Sequence, residues 1–409
     1  MATQKPSSDL SFEPTFAHVA VLGVTCSLGP FATNGIVPAF HAISETFGMS
    51  LADMQQMLTV YLVALAIGSL LVGSLSDAFG RKHVLAAGMV LFSVSSVGAL
   101  YSDSLATMNI WRFLQGLGAC TGQVITQAMV RDRWSGLSAA RAMSIIGMLF
   151  SVAPAVAPIV GGGWLVVRMG WQASFWFLMA YSLSIWAITV FVLKETLPRE
   201  KRLHFDLWAL LLSYGTCLKN PAYTAGIISN GCSFMGMILV VAGGADFVVN
   251  VMGFGVDGFA CLSVPLVVAS VAGSFLAPPL ALRLGTRNLV VGAGVLLILF
   301  EFTMTYCMHE ARPGYLETLL IGFVFNFVGN LVRPVVMAMN LDYHPRCRGL
   351  SASIQQGFHT LGFALSSAVL APLCIGQAWK YALAMGVCAV LALLFWMIAL
   401  HYRKAYLPA

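Results

Sequence analysis

Charge is what this sequence has least of. Asp, Glu, Lys and Arg together make up 9% of its 409 residues, where an ordinary soluble domain carries about 25%. A water-soluble chain of this length could not cover its surface with so few charges, so lipid must be the solvent for most of the exterior. The formal net charge is +6, yet placement excludes a nucleic-acid partner: the basic residues sit in short loops between apolar runs and form no phosphate-binding face. Cysteine pairing is missing as well. The nine cysteines include no C-x-x-C pair and no Cys/His cluster, and most fall inside apolar stretches, as Cys26, Cys120 and Cys388 do. They read as small packing residues, which excludes a disulfide framework and a metal site. No G-x-x-x-x-G-K-[ST] string occurs, so ATP is not used directly. The eight histidines are scattered without an H-x-x-x-H pair, so neither a membrane-embedded enzyme with catalytic residues nor a bound cofactor is expected. No segment repeats in the manner of a channel filter. Met1 to Thr15 is polar, with two prolines, and no short cleavable apolar stretch follows it; the first apolar run is long enough to span.

What the chain does have is long apolar runs. Hydrophobic residues make up 59% of it and the mean hydropathy is +0.84. A bilayer core of about 30 Å takes about 20 apolar residues as a helix. Twelve segments meet that length, at roughly 16–39, 51–74, 83–101, 105–130, 139–165, 171–193, 222–249, 257–282, 288–308, 314–338, 348–373 and 378–402. Unbroken runs lack the alternation of a membrane barrel, so helices are expected. Twelve spans put both termini on one side of a lipid bilayer. Seventeen Lys and Arg fall in the tails and loops of that side, against three (Arg168, Arg312 and Lys380) on the other, which places both termini in the cytoplasm. The stretch 194–220 carries five basic residues and parts the chain into halves. The expected organisation is a tail at 1–15, a six-helix bundle at 16–193, a polar linker at 194–220, a second six-helix bundle at 221–402 and a tail at 403–409. A weak repeat agrees: Ala128-Met129-Val130-Arg131-Asp132 ends segment 4, and Ala338-Met339-Asn340-Leu341-Asp342 ends segment 10. Two related halves with a site between them is the logic of many transporters.

Three strings stand out. The loop between segments 2 and 3 reads Gly73-Ser74-Leu75-Ser76-Asp77-Ala78-Phe79-Gly80-Arg81-Lys82. Gly80 permits a tight turn, and Asp77 ends a helix beside a cationic pair. Segment 4 carries Arg112-Phe113-Leu114-Gln115-Gly116-Leu117-Gly118-Ala119. An Arg inside a lipid-spanning helix is expensive and so a functional candidate; the other reading is a structural Arg bonded to neighbouring backbone. Arg112, Gln115, Ala119, Gln123 and Gln127 step along one helical face, which should line a wet cavity. Segment 5 contains Pro154-Ala155-Val156-Ala157-Pro158-Ile159-Val160-Gly161-Gly162, whose prolines and glycines allow kinks and close helix contact.

These strings resemble three signatures of the major facilitator superfamily. The first is G-x-L-x-D-x-x-G-R-K, with Ala78 where a basic residue is usual. The second is R-x-x-Q-G-x-G-A. The third is the antiporter motif G-P-x-x-G-G, with Ala157 in place of the first Gly. The P-A-x-A-P-x-x-G-G form, together with Val130-Arg131-Asp132, resembles the drug:proton antiporter branch and its bicyclomycin/chloramphenicol-resistance (Bcr/CflA-like) subfamily. The resemblance implies an all-α membrane protein of twelve transmembrane helices in two pseudo-symmetric bundles, monomeric, in a bacterial inner membrane. It implies a conformational gate at Gly73, Asp77, Gly80, Arg81, Lys82, Arg131 and Asp132, where Asp77 clamps segment 2 to the start of segment 11 and to Arg131 in the outward-facing state. The antiporter motif falls on Pro154, Pro158, Gly161 and Gly162.

One departure from the subfamily bears on function. Its first segment typically holds an acid four positions before a Pro, as in D-M-Y-L-P. Here the string is Asn34-Gly35-Ile36-Val37-Pro38, and Asn34 has no proton to lose. Other groups are candidates for coupling. Asp246 follows Gly243-Gly244, a helix break of the kind that supplies transport sites; Glu301 lies in the middle of segment 9; His359 lies one turn after Gln355 in segment 11. Asn326, Asn330 and Arg333 make a second polar stripe on segment 10, the counterpart of segment 4. The expected cavity residues are therefore Asn34, Arg112, Gln115, Gln123, Gln127, Asn326, Asn330, Arg333, Gln355 and His359. The expected coupling groups are Asp246 first, Glu301 second and His359 third. With two arginines and no first-segment acid, the expected substrate is a small amphipathic molecule, neutral or anionic. It is a drug or a self-made metabolite such as a carboxylate siderophore, exported in exchange for protons. Uptake by the same fold is the alternative.

Overall fold

The computed structural model describes residues 16–134, 136–202, 204–253, 259–310, 314–344 and 348–406; the expected tail 1–15 lies outside them. Twelve principal helices follow the twelve apolar segments: α1 Phe16–Asn34, α2 Leu51–Phe79, α3 Arg81–Leu100, α4 Leu105–Arg133, α5 Gly136–Pro158, α6 Gln172–Phe191, α7 Pro221–Ala242, α8 Phe259–Leu284, α9 Thr286–Glu310, α10 Tyr315–Asp342, α11 Arg348–Leu365 and α12 Ala378–Tyr406. No strand occurs among the described residues. Eleven of the spans are long and apolar enough to cross a membrane. The exception is α4, whose 29 residues give it the length but whose Arg112, Gln115, Gln123 and Gln127 dilute its apolar character. It is also the sheltered helix of its half, packed against α1, α2, α3 and α5.

Several spans are interrupted where the sequence weakens the helical ladder. The first stops at Asn34, turns at Gly35 and Ile36, and continues as a 3₁₀ turn over Val37–Ala39 and a short helix over Phe40–Phe47. A Cβ on Gly35 would lie 2.7 Å from Phe31 O, so this turn requires glycine. The seventh ends at Ala242, before the Gly243-Gly244 pair, and resumes over Gly244–Asp246 and a π-helical turn at Phe247–Val251. After Pro158, α5 widens into a π-helix over Ile159–Val166, which contains Gly161 and Gly162. A similar π turn at Ser366–Leu370 follows α11. Such turns widen the backbone ring and recur at functional sites.

Helices α1–α6 form one bundle and α7–α12 the other, and the bundles meet along two seams, α2 against α11 and α5 against α8. The linker is not polar throughout, as its charge had suggested. It contains the helix Leu207–Leu218, begun by Asp206, whose side chain accepts from Trp208 N and Ala209 N. That helix has one apolar face on the protein: Tyr214 donates its hydroxyl to Leu70 O at 2.6 Å. The ends of the described chain lie at this same linker end, where His18 sits beside Arg133 and Lys194 and Arg403 reaches Met339. The opposite end is called the far end below. The outer faces of α8 and α9 carry Phe275 at 79% and Leu296 at 68% exposure, a surface that only lipid accommodates.

Candidate functional site

A cavity of about 220 Å³ lies between the two bundles. The first bundle supplies Asn34, Leu65, Gln123, Pro154 and Pro158 to its wall; the second supplies Phe234, Met237, Asn326, Asn330, Arg333 and Gln356. The wall is largely apolar with polar groups at a few points, the usual make-up of a small-molecule site. Among its described residues there is no Asp or Glu, and Arg333 is the one charged side chain.

Several of the polar wall residues are held by their own helix. Asn34 Nδ2 donates to Pro30 O at 3.0 Å. On α10, Asn326 Nδ2 donates to Gly322 O and Asn330 Nδ2 to Asn326 O, both at 2.9 Å. Asn330 Oδ1 then accepts from Arg333 Nη2 at 3.0 Å, which aims the guanidinium. Pro334 follows, and its missing N–H leaves Asn330 O without the usual helical donor. The Arg333 guanidinium carbon lies 5.6 Å from the centre of the Phe234 ring. On the same ring His359 stacks with a centroid separation of 3.8 Å and an interplanar angle of 26°. His359 thus stands directly behind the wall rather than in it, buried at 6% exposure, with Nε2 unpaired.

Other expected cavity residues sit elsewhere. Arg112 and Gln115 are fully buried inside the first bundle and do not reach the wall. Arg112 donates through Nη1 to Gln115 Oε1 and through Nη2 to Ala32 O, and lies 4.4 Å from the centre of the Tyr61 ring. Gln115 Nε2 donates to Ser96 Oγ at 2.7 Å. The pair therefore ties α4 to α1, α2 and α3, which is the structural reading of a membrane Arg. Of the α4 face only Gln123 lines the cavity; Gln127 is half-buried and off the wall. Neighbouring helices cover most of that face. Gln355 also lies off the wall, accepting from Asn340 Nδ2 at 2.8 Å.

The first two coupling candidates are likewise displaced. Asp246 is held at the far end, where its carboxylate accepts from Gly376 N at 2.9 Å and from the Tyr381 hydroxyl at 3.0 Å. It pins the broken end of the seventh span to the turn before α12 and does not line the cavity. Glu301 faces inward from the peripheral helix α9 and is fully buried against α12 near Gly386. Neither of its oxygens has a hydrogen-bond partner, and it too is absent from the wall.

The gate string folds into a charged knot at the linker end. Asp77 pairs with Arg81 at 2.6 Å, and Arg81 Nε with Asp132 Oδ2 at 3.0 Å. Arg81 Nη1 also donates to Ser76 Oγ at 2.6 Å. Glu195 accepts from Arg81 N at 3.0 Å and Lys82 N at 3.3 Å, and Lys82 Nζ donates to Val190 O at 2.8 Å. Gly80 has φ +96°, and a Cβ there would lie 2.5 Å from Glu195 Oε2, so both conformation and space demand glycine. Gly73 has no such constraint. Here Asp77 pairs with Arg81, the cation one turn away, and Arg131 is exposed; residues 345–347, just before α11 and part of the expected outward-facing clamp, lie outside the described residues. Pro154 and Pro158 of the antiporter string reach the cavity wall. Glu195, Phe234 and Tyr61 carry no signal in the sequence: each is an ordinary residue of its segment until the fold brings its partner to it.

The family profile described as Major Facilitator Superfamily matches residues 22–306. An uncharacterised MFS-type transporter of Bacillus subtilis, YdgK, is 29% identical over 82% of this chain and 83% of its own length. The bicyclomycin resistance protein homolog of Haemophilus influenzae is 26% identical over 93% of this chain and 95% of its own. The solved xylose transporter XylE of E. coli, in a partially occluded inward-open conformation, superposes with a TM-score of 0.70 at 15% identity, covering 96% of this chain and 98% of that one. That identity speaks to the fold alone. The two-bundle, twelve-helix architecture and the match across both halves agree: this chain is a transporter rather than an enzyme, similar to bicyclomycin-resistance proteins, and it belongs to the Major Facilitator Superfamily.

Proposed function

We propose that this chain exports a small amphipathic molecule, neutral or anionic, by alternating access of the central cavity, in exchange for protons. The observation that carries the reading is the cavity itself: it lies between the bundles, is mostly apolar, and has no described carboxylate on its wall. A cationic substrate would find no counter-charge there. The outward direction rests on the antiporter string, whose Pro154 and Pro158 line the cavity, and on a drug-resistance relative that aligns over nearly the whole chain. The excess of Lys and Arg on one side supports an inner-membrane protein with cytoplasmic termini. Of the three coupling candidates, His359 stands nearest the cavity, one ring behind the wall, and we assign the proton to it.

The test begins with disruption of the gene and comparison of small molecules inside and outside the cells. The substrate should accumulate inside the disrupted strain. In everted vesicles, its uptake should require an imposed pH gradient and fail in His359→Gln. Depletion of the compound inside the disrupted cells would establish import instead, and full gradient-driven flux in His359→Gln would remove the proton assignment.

A further inference from the structure

Resting on that transport reading, we propose that the substrate is an organic anion whose carboxylate, or a like-shaped acid group, docks on Arg333, with its apolar body against the facing wall of the first bundle. An Arg at membrane depth is costly and marks a site unless its surroundings satisfy it. Arg112 is more nearly satisfied: two oxygens accept from its guanidinium and a tyrosine ring covers one face, and although its Nε, like that of Arg333, lacks a partner, helices seal it from the cavity. The situation of Arg333 is different. Among the described residues its one oxygen partner is Asn330 Oδ1, its Nε has no partner, and no described Asp or Glu forms an ion pair with it. It also borders the cavity, so a ligand can reach it.

The surroundings fit one kind of guest. A guanidinium presents a planar fork of N–H donors that matches a carboxylate bidentately, and such charge-assisted bonds are about twice as strong as neutral ones. Asn330 and the Phe234 face fix the plane of the fork before any ligand arrives, so less ordering is lost on binding. Thr360 and Gln356, on α11, line the same side of the cavity and can serve a second acid oxygen or a hydroxyl. Across from Arg333, the first bundle offers Leu62, Leu65 and Phe150, which suit a ring or a short aliphatic body. A cation would meet the unneutralised guanidinium and be repelled. A neutral guest of equal size would gain the apolar contacts and leave Arg333 unpaired.

Three probes of one shape and different charge test this on the purified full-length protein: 2-naphthoate, 2-naphthamide and 2-naphthylmethylammonium, by equilibrium dialysis. The carboxylate should bind about tenfold more tightly than the amide, as expected for one charge-assisted pair, and the ammonium most weakly. Arg333→Gln should erase the difference between carboxylate and amide, whereas Arg333→Lys, which keeps the charge and loses the fork, should retain part of it. Equal binding of all three, preference for the ammonium, an undiminished preference in Arg333→Gln, or no saturable binding of naphthoate at millimolar concentration would each overturn the proposal. The wild-type series decides alone if Arg333→Gln does not fold. Binding in detergent has no direction, so an anion preference combined with inward flux in cells defeats the export reading and leaves this site standing; charge-blind binding with outward flux does the reverse.

Discussion

Arg112 and Arg333 show how one residue type takes two roles within the same membrane. The first is a tie-bar. Removing its side chain leaves Gln115 Oε1 without its donor in the bundle interior and opens a void beside Tyr61. An orphaned buried acceptor costs about 1–3 kcal/mol, and the void adds to it. Arg112→Ala should therefore melt well below the wild type in detergent, while Arg168→Ala, at an exposed position, should stay within about 0.5 kcal/mol. Arg112→Lys should not restore the loss, because an ammonium cannot bridge Gln115 and Ala32 as a fork does. Equal melting of Arg112→Ala and Arg168→Ala would remove the packing role. The sequence marks both arginines as unusual for the same reason, their cost in lipid. It does not separate them, since each sits in a helix with amides at helical spacing.

Helix packing in the first bundle depends on glycines of α4. A Cβ on Gly118 would lie 2.7 Å from Gly88 O and 2.9 Å from Phe92 N, so α3 and α4 touch backbone to backbone there. Neither atom can swing aside as a flexible side chain would. Gly118→Ala must push the helices apart, with an overpacking cost of about 1–3 kcal/mol. Gly147, in α5, has open space around its Cβ position, and Gly147→Ala should lose nothing and gain up to about 1 kcal/mol of helix propensity. Thermal unfolding of the two purified variants decides this, and matching losses would show that the α3–α4 contact tolerates a methyl group. At this scale the sequence was partly legible. The Gly243-Gly244 pair announced the break after α7, whereas the close contact at Gly118 was not read from a string that drew notice for its Arg and amides. The linker was less so: its five basic residues hid the apolar helix Leu207–Leu218, because twelve residues are too short to register as a span.

Taken whole, the molecule is two bundles, which under the proposed alternating access separate at one end while closing at the other. Along the α2–α11 seam, Gly357 abuts Leu70 toward the linker end. Toward the far end, Thr59 Oγ1 lies 3.1 Å from Ser367 Oγ, which in turn donates to Gln55 O at 3.1 Å. A Thr59→Cys/Ser367→Cys pair in a background lacking the native cysteines should form a disulfide on oxidation. Oxidation should then stop flux by at least about tenfold, as expected when a required conformational step is blocked, and reductant should restore it. Undiminished flux in the oxidised, cross-linked protein would mean that this seam does not open during transport.

What the sequence determined by itself is whatever hydropathy and local strings encode: lipid as solvent, twelve spans, two halves, a glycine-dependent charged turn after α2, and the family those strings resemble. These are properties of short stretches, and partition into lipid is decided stretch by stretch. Only the tertiary structure decided which polar groups meet the cavity. Periodicity places Arg112, Gln115 and Gln123 on one face of α4, but that face is wider than the opening. The packing of α1, α2 and α3 covers Arg112 and Gln115 and leaves Gln123 open. In the same way Asp246 became a far-end anchor, because Gly376 N and the Tyr381 hydroxyl, each 130 or more residues away in the chain, converge on it. Arg333 was left facing the cavity for the opposite reason: no described carboxylate comes within ion-pair distance of it or lines the same wall. Neither outcome is local, since each depends on how the helices turn against one another.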